Sequence, residues 1–305
     1  MYHAPVLLRE TIEALLIEQD GCFVDATFGG GGHSGALLEA LGPKGRLYSF
    51  DQDLDAAQNA RQSPFAGDAR FTFIHSNFRF IQRQLRSEGV RPGSVSGIMA
   101  DLGVSSYQLD TPERGFSYRF DAELDMRMNP TEGQTAADIL NTYSADELQR
   151  VFGELGEVRN ARTLAKACTD ARATRPFSTT GELNELCEKL AMGERMRYRS
   201  QVFQALRMEV NDELGALETF LNESLQMLAP GGRLAVITFH SLEDRMVKNF
   251  FKSGNVSGEL NKDFYGNISR PMEQLTKKPI EASDVENREN PRARSAKLRV
   301  AIKTR

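Results

Sequence analysis

Short apolar runs alternate with helical patterns along the first hundred residues of the chain. Strands are predicted at Cys22–Ala26, Arg46–Phe50, Phe71–His75 and Gly97–Ala100, and the intervening helices include Ser34–Leu41 and Leu54–Gln62. Strands that alternate with helices in this way predict an α/β fold with a doubly wound parallel sheet.

The alternation stops after the fourth run. From about Thr111 to Ser200 the pattern predicts loops and helices and no strand, with S/T-x-x-E capping boxes that begin at Ser144 and Thr179. A single long amphipathic helix is then predicted from Leu206 to Leu228, because apolar residues continue along one stripe. Pro230 and the two glycines after it are expected to end that helix.

Strand patterns return in the last third of the chain, at Arg233–Phe239 and Leu298–Ile302. The simplest architecture that contains both patterns is an α/β domain interrupted by an all-helical insertion. We place the first part of the α/β domain at residues 1–111, the insertion at 112–204 and the second part at 205–305. The polar segment Ser253–Pro279 is predicted to be a mobile loop.

Composition narrows the class of protein. Hydrophobic residues make up 40% of the 305, and no apolar run approaches the roughly 20 residues that would cross a membrane. The N-terminal residues lack the features of a signal peptide. Three well-separated cysteines and four histidines argue against a disulfide framework or a metal site and favour a cytoplasmic protein.

Charge is unevenly distributed along the chain. The net charge of the whole chain is −4, but the segment Lys277–Arg305 contains nine basic residues against four acidic ones. A cationic tail of this kind can hold phosphates even on an acidic protein. A solvated, charged terminus is the alternative interpretation.

Four consecutive glycines, Gly29–Gly32, separate the first predicted strand from the first helix. Glycine lets the backbone approach a ligand closely, and ligands of such sheets bind at the carboxyl ends of the strands. Gly30, Gly32 and Gly35 also satisfy the pattern G-x-G-x-x-G. By itself this pattern suits a dinucleotide, another adenosine cofactor or a flexible turn.

Acidic residues end two of the predicted strands. Asp51 ends the second, where a carboxylate can accept hydrogen bonds from the ribose hydroxyls of NAD or S-adenosylmethionine. Asp53 and Asp55 follow, and three acids together would repel the 2′-phosphate of NADP; Asp55 is interpreted as a helix N-cap. Asp101 ends the fourth strand, where a donor or acceptor can meet a reacting group. A dehydrogenase would also need an acid or base, and His240 is more often structural in such a position.

Long motifs recur in order along nearly the whole chain. They are His3-x-Pro5-Val6-Leu7, Asp25–Ser34, Asp101–Asp110, Arg114–Ser117, Leu124–Met128, Phe203–Arg207, Val210–Leu214, Phe239–Arg245 and Asn290–Ser295. Together these motifs resemble the bacterial 16S rRNA (cytosine-N4)-methyltransferase family. The Asp101-Leu102-Gly103-Val104 segment stands where other amino-methyltransferases often carry an Asp/Asn-Pro-Pro-aromatic motif.

The resemblance implies a class I, Rossmann-like methyltransferase sheet with an inserted helical substrate-recognition domain. It implies transfer from S-adenosylmethionine to the exocyclic N4 amine of one cytidine in the decoding region of 16S rRNA, within the small ribosomal subunit. No membrane and no metal are expected, and a homodimer is left open. The cofactor-binding residues carried over by position are Gly31, Gly32, His33, Asp51, Phe78, Asp101 and Gln108.

Asp101 is the candidate catalytic residue, as an acceptor of a hydrogen bond from the target amine. Tyr107 is a candidate for stacking on a base that leaves its helix. The other candidate RNA contacts are Arg114, Arg127, His240, Arg292 and Arg294.

Three other functions remain open at this point. An NAD-dependent oxidoreductase lacks an obvious acid or base, and a DNA amino-methyltransferase lacks the usual motif after its fourth strand. A non-catalytic RNA-binding factor for ribosome assembly would use the same binding residues, although the intact glycine loop and Asp51 speak against it.

Overall fold

The computed structural model of the protein describes residues 5–15, 18–260 and 270–304. Its helices are α1 (Leu8–Leu15), α2 (Gly32–Ala40), α3 (Leu54–Gln62), α4 (Ile81–Ser87), α5 (Ser106–Asp110), α6 (Ala136–Thr142), α7 (Ala145–Arg150), α8 (Ala161–Thr174), α9 (Thr180–Leu190), α10 (Arg195–Val210), α11 (Glu213–Met227), α12 (Ser241–Ser253) and α13 (Asp284–Glu289). Its strands are β1 (Cys22–Asp25), β2 (Arg46–Asp51), β3 (Phe71–His75), β4 (Val95–Asp101), β5 (Leu228–Thr238), β6 (Met272–Gln274), β7 (Ile280–Glu281) and β8 (Lys297–Lys303). No helix among the described residues has both the length and the apolar composition needed to cross a bilayer.

The strands form one sheet in the order β3-β2-β1-β4-β5-β8-β6, and β7 also pairs with β8. Strands β1 to β5 pair in parallel, whereas β8 runs antiparallel to β5 and β6. The predicted parallel α/β sheet is therefore confirmed. The direction in which strands are added reverses between β1 and β4, and ligands of open α/β sheets bind beside such a switch point, at the carboxyl ends of the strands.

The central strands are apolar because both faces of the sheet are covered. Neighbouring residues of one strand point to opposite faces. Val24 and Ile98 accordingly pack into one core cluster, while Phe23 and Met99 pack into another. All four side chains are fully buried. Burial on both faces explains why the sequence shows continuous apolar runs rather than an alternating pattern.

The chain divides into two compact units. The helical unit is Val104–Glu213, and the α/β unit consists of the described residues on either side of it. The helical unit contains the whole predicted insertion, 112–204, and extends beyond it at both ends. Leu109 and Leu206 pack against its apolar core, which explains why the flanking residues belong to the same unit.

Helix-capping side chains define several helices of the helical unit. Both predicted capping boxes are confirmed: Ser144 and Thr179 each accept a hydrogen bond from the backbone of a glutamate three residues later, and that glutamate side chain accepts one in return. Such reciprocal bonds satisfy backbone amides that have no partner inside the helix.

The prediction of one long helix over 206–228 is wrong. Helix α10 ends at Val210 and α11 begins at Glu213. Asp212 between them has a φ of 45°, a left-handed conformation that interrupts a helix. The Asn211 side chain holds the break, because its Nδ2 donates to the Met126 carbonyl and its Oδ1 accepts from the Met128 amide, each at 2.8 Å.

Two other sequence predictions need correction. The segment Ser253–Pro279 is not wholly a loop, since it contains β6, which pairs with β8; residues 261–269 lie outside the described residues. Pro230 does not end the predicted helix, because α11 has already ended at Met227 and the chain has entered β5. Both features depend on pairing with distant strands, which a local pattern does not show.

Candidate active site

The loop after β1 needs glycine at specific positions. Gly29 and Gly31 have φ values of 50° and 78°, a backbone region that side chains with a Cβ rarely adopt. A Cβ on Gly31 would also lie 2.8 Å from Cζ of Phe28. Gly31 is the N-cap of α2, so the loop leads directly into a helix whose first amide groups have no partners within that helix.

A buried carboxylate fixes the start of this loop. Asp25 accepts hydrogen bonds from the Thr27 amide at 3.0 Å and from the Ser34 hydroxyl at 2.6 Å. Ser34 also contacts the Ser49 hydroxyl on β2 at 2.7 Å. Burial raises the pKa of Asp25, and the nearby His33 ring opposes that shift. The network joins β1, the first turn of α2 and β2, and therefore holds the glycine loop at the end of the sheet.

Asp51 occupies the corresponding position at the end of β2. Its Oδ2 accepts from the Gly29 amide at 2.8 Å and its Oδ1 from the Asp53 amide at 2.9 Å. Burial is the largest cause that raises the pKa of Asp51, to about 6. Asp53, rather than the predicted Asp55, is the N-cap of α3, since its side chain accepts from the Asp55 amide. The Asp55 prediction is therefore wrong, whereas Asp51 lies beside the glycine loop.

Phe78 lies just beyond β3, the strand that neighbours β2. The Ser76 amide donates to the Asp51 carbonyl at 2.9 Å, which draws this segment against the end of β2. The Phe78 ring packs edge-on against Phe220, with 5.2 Å between the ring centroids. The structure thus brings Phe78, Asp51 and the glycine loop to one edge of the sheet.

Asp101 ends β4 on the other side of β1. Its amide donates to the Thr27 hydroxyl at 2.7 Å, which ties the end of β4 to the glycine loop. The carboxyl oxygen Oδ1 is shielded from solvent and accepts no hydrogen bond from any described residue. Burial is the largest cause that raises the pKa of Asp101, to about 8, and the charges of Asp25 and Glu243 add to the rise. Asp101 is consequently a carboxyl group with an unused acceptor atom.

His240 follows β5 and is the N-cap of α12. Its Nε2 lies 2.9 Å from Glu243 Oε1, although the contact lacks the alignment of a hydrogen bond. The other oxygen of Glu243 accepts from the Phe239 amide at 3.0 Å. Glu243 is buried, so the end of β5 presents a histidine that is placed beside a fixed carboxylate.

Two of the predicted RNA contacts lie on a short turn just before β8. Arg292 is partly buried and Arg294 is exposed, both within Pro291–Ser295. An exposed guanidinium is suited to a phosphate, whereas a partly buried one is more constrained.

The remaining predicted site residues belong to the helical unit. Gln108 is buried and forms a capping box with Ser105: its Oε1 accepts from the Ser105 amide at 3.0 Å, and the Ser105 hydroxyl accepts from the Gln108 amide. Tyr107, its neighbour on α5, exposes 41% of its surface. The two residues therefore differ in role: the Gln108 side chain caps the start of α5, whereas the Tyr107 ring is exposed.

Both arginines predicted in this unit take part in internal contacts. Arg114 donates to the carbonyl oxygens of Arg127 and Met128, each at 3.0 Å. Arg127 forms two hydrogen bonds with the Asp125 carboxylate, at 2.8 and 2.7 Å. These contacts hold the 125–128 segment in place and occupy part of the capacity that a phosphate would use.

Thr27 and Ser34 are site residues that the sequence reasoning missed. The Thr27 hydroxyl accepts a hydrogen bond from the Asp101 amide, and the Ser34 hydroxyl donates one to the Asp25 carboxylate. Their position was a usable signal, because hydroxyl residues on either side of a glycine loop can bond to a buried acid at the strand end. The pattern alone did not show which strand each hydroxyl would reach.

The geometry fits an adenosine cofactor bound at the switch point of the sheet. A glycine loop allows close approach, Asp51 offers acceptor atoms at the end of β2, and Asp101 retains an unused acceptor at the end of β4. In this sheet, the antiparallel strand β8 lies between β5 and β6, and the other strands run parallel to one another. This is the fold of class I Rossmann-like methyltransferases, whose cofactor is S-adenosylmethionine.

Comparison with known proteins gives the particular family. The model of the MraW methylase family matches residues 1–304, and the chain belongs to that family. The chain is a methyltransferase, and its cofactor is S-adenosylmethionine.

Curated relatives match almost the whole chain. A protein from Parabacteroides distasonis named Ribosomal RNA small subunit methyltransferase H is 50% identical over 303 residues, which cover 99% of this chain and 97% of the relative. A protein of the same name from Flavobacterium johnsoniae is 51% identical, with coverages of 99% and 98%. A solved SAM-dependent methyltransferase from Aquifex aeolicus is 9% identical, with a TM-score of 0.40 and coverages of 98% and 90%. The fold is assigned from the order and direction of the strands.

Proposed function

We propose that the protein methylates the exocyclic N4 amine of a cytidine in the decoding region of 16S rRNA, within the small ribosomal subunit. The names of the curated relatives support a small-subunit rRNA substrate. The observation that carries the proposed chemistry is the unused, shielded Oδ1 atom of Asp101 at the end of β4. A ribosomal substrate would place the protein in the cytoplasm.

The residues at the edge of the sheet are suited to hold the cofactor. The backbone of Gly31, Gly32 and His33 would face it at the start of α2, and Asp51 would accept hydrogen bonds from the ribose hydroxyls. Phe78 would lie against the adenine and Gln108 near the methionine end. When bound, S-adenosylmethionine supplies an electrophilic methyl group whose departure leaves a neutral thioether, so the leaving group needs no proton.

Asp101 would act on the amine that receives the methyl group. The nitrogen lone pair of cytosine N4 is delocalised into the ring, so the amine is a weak nucleophile. A carboxylate that accepts a hydrogen bond from this amine localises the lone pair and can then take the proton that the nitrogen loses. The pKa of Asp101 is raised to about 8. This pKa lies close to the operating pH, which is where the pKa of an effective general base lies.

The proposed RNA contacts lie in both units: some belong to the helical unit, and others to the turn before β8. Tyr107 is exposed and could stack on a flipped cytosine, and Arg294 is exposed and could hold a phosphate. His240 would contact the base. Arg292 lies on the same short turn as Arg294 and would help it to hold the phosphate. Arg114 and Arg127 are proposed to contribute chiefly by fixing the loop that follows Tyr107. A homodimer is left open, and sedimentation at several protein concentrations would decide it.

The experiment combines purified protein, labelled S-adenosylmethionine and small ribosomal subunits from cells that lack the endogenous enzyme. Digestion to nucleosides and mass analysis should reveal N4-methylcytidine, and the Asp51→Ala variant should lose this product at a cofactor concentration near the wild-type dissociation constant. Tight cofactor binding without transfer would favour the non-catalytic assembly factor. Label on a different nucleoside would contradict the proposed target atom.

A further inference from the structure

The first described residues lie directly on the glycine loop. We call Pro5, Val6 and Leu7 the N-terminal strap. A Cβ on Gly32 would lie 2.6 Å from Cγ and 3.0 Å from Cδ of Pro5. The strap therefore covers the first turn of α2 so closely that only glycine fits beneath the proline ring.

His33 fastens the strap to the loop. Its Nε2 lies 3.1 Å from the Val6 carbonyl oxygen, within hydrogen-bond distance, and the residue is only 5% exposed. The imidazole side chain therefore points to the strap, although its backbone belongs to the cofactor loop. A carbonyl accepts only from a protonated ring nitrogen, so this contact requires a hydrogen on Nε2.

Glu286 holds the strap from its other side. Its Oε1 accepts a hydrogen bond from the Leu7 amide at 2.7 Å, across 279 positions of the chain. Leu7 is fully buried with a φ of 51°. A residue with a Cβ keeps such a conformation only where its surroundings fix it, and the bond from Glu286 supplies one such constraint. The Leu7 carbonyl in turn accepts from the Thr11 amide at the start of α1.

We propose that the N-terminal strap is a clamp that keeps the glycine loop in its cofactor-binding conformation, with His33 and Glu286 as positioning residues that set the affinity for S-adenosylmethionine. This inference rests on the proposed cofactor site. The physical basis is preorganisation: a loop with positive φ angles loses less conformational freedom on binding if it is already held. Through the strap, the clamp also connects α13, which lies just before Arg292 and Arg294, to the cofactor loop.

The first test measures binding of S-adenosylmethionine to the full chain by calorimetry. His33→Leu removes the donor to Val6 and should weaken binding about tenfold, the usual scale for a lost buried hydrogen bond. His33→Gln places an amide donor at the same distance from the backbone and should restore most of the affinity. Equal affinity of the leucine variant and the wild type would overturn the role of His33.

The second test uses two glutamates of the same helix. Glu286→Ala should raise the dissociation constant severalfold, whereas Glu286→Gln keeps an acceptor for the Leu7 amide and should bind nearly as tightly as the wild type. Glu289→Ala is the matched control, because Glu289 is exposed on α13. The KM for S-adenosylmethionine should rise with little change in kcat at saturation, a split that general destabilisation would not produce. Equal effects of the two alanine variants would contradict the clamp.

The third test exchanges volume between strap and loop. Gly32→Ala should lower cofactor affinity through its clash with Pro5, and the additional change Pro5→Ala should recover part of it by removing Cγ and Cδ. A double variant no better than Gly32→Ala would show that the contact with Pro5 does not limit binding. Wild-type protein that bound no S-adenosylmethionine would instead defeat the proposed function, while normal binding in every clamp variant would defeat only this inference.

Discussion

The buried acids at strand ends in the α/β unit and the acids at helix starts in the helical unit show opposite pKa shifts. In the α/β unit, Asp25, Asp51 and Asp101 are withdrawn into the ends of strands, and burial raises the pKa of each. In the helical unit, acids such as Glu147 and Glu182 lie at helix starts, where hydrogen bonds from the backbone lower their pKa. The difference separates carboxylates whose ionised form is disfavoured by burial from carboxylates whose ionised form gains hydrogen bonds.

The difference between the raised and the lowered pKa values has a physical cause. A carboxylate in a capping box gains partners when it ionises, so folding and ionisation favour each other. Asp101 gains no such partner from the described residues, and its ionised form is disfavoured by burial and by neighbouring acids. A protein retains an unfavourable group of that kind when a ligand or a reaction uses it, which is why perturbed acids indicate functional sites.

The largest expected effect comes from removing the reactive carboxylate. Asp101→Asn should lower kcat about a hundredfold to ten-thousandfold, the range typical of a lost general base, because an amide cannot take the proton that the nitrogen loses. In the wild type, kcat/KM for the cofactor should rise toward pH 8, since only ionised Asp101 accepts a proton. Single-turnover assays across pH would measure both effects. A variant with full turnover would assign proton removal to another group.

The next largest effect concerns the carboxylate at the end of β2. Asp51→Ala should weaken binding of S-adenosylmethionine about a hundredfold, because it removes charged hydrogen bonds to the ribose and also releases the Gly29 amide. Calorimetry would measure the loss. Ser144→Ala, in the helical unit, is the control and should leave the affinity unchanged. Loss of affinity in both variants would mean that the two units do not differ in the expected way.

Acidification should affect the two units in opposite directions. Asp51 and Asp101 bind protons more readily in the folded chain than in the unfolded one. These two acids should therefore make the α/β unit more stable as the pH falls from 8 to about 6.5, above the range in which the lowered pKa of buried His33 opposes them. The pKa values of Glu147 and Glu182 are lowered by folding, so their contribution is present above the unfolded pKa and is lost as the pH falls through the folded one. Hydrogen exchange of each unit across pH would measure the two trends. Parallel changes in both units would contradict the contrast.

The smallest effect is expected from the structural caps. Thr179→Ala should destabilise the helical unit by about 1 kcal/mol, because the N-cap of α9 loses its side-chain acceptor. Urea denaturation followed by helical circular dichroism would measure the change. Thr179→Ser keeps the hydroxyl and should unfold close to the wild type, whereas equal loss in both variants would point to packing of the methyl group instead.

Local patterns predicted those parts of the fold whose cause is local. The buried strands of the parallel sheet, the glycine loop and the capping boxes each depend on a few neighbouring residues. The break at Asn211 and Asp212 could not be read from the sequence, because the bonds that fix it come from Met126 and Met128. The strand β6 was missed for the same reason, since it is formed by pairing with the distant strand β8.

In the candidate site, too, the sequence predicted local features but not contacts with distant residues. Asp51 and Asp101 were identifiable because acids at the ends of apolar runs are conspicuous. The internal partners of Arg114 and Arg127 were not, since both depend on how the 125–128 segment folds back. The side chain of His33 gave no sign that its partner would be Val6.

The position of β8 between β5 and β6 has a consequence for the order of events during synthesis. The helical unit is one contiguous stretch and can fold as soon as Glu213 has left the ribosome. The sheet cannot close until residues up to Lys303 have emerged, because its antiparallel strand is an interior one. The nascent chain therefore carries an open sheet edge on β5 until translation has passed β8.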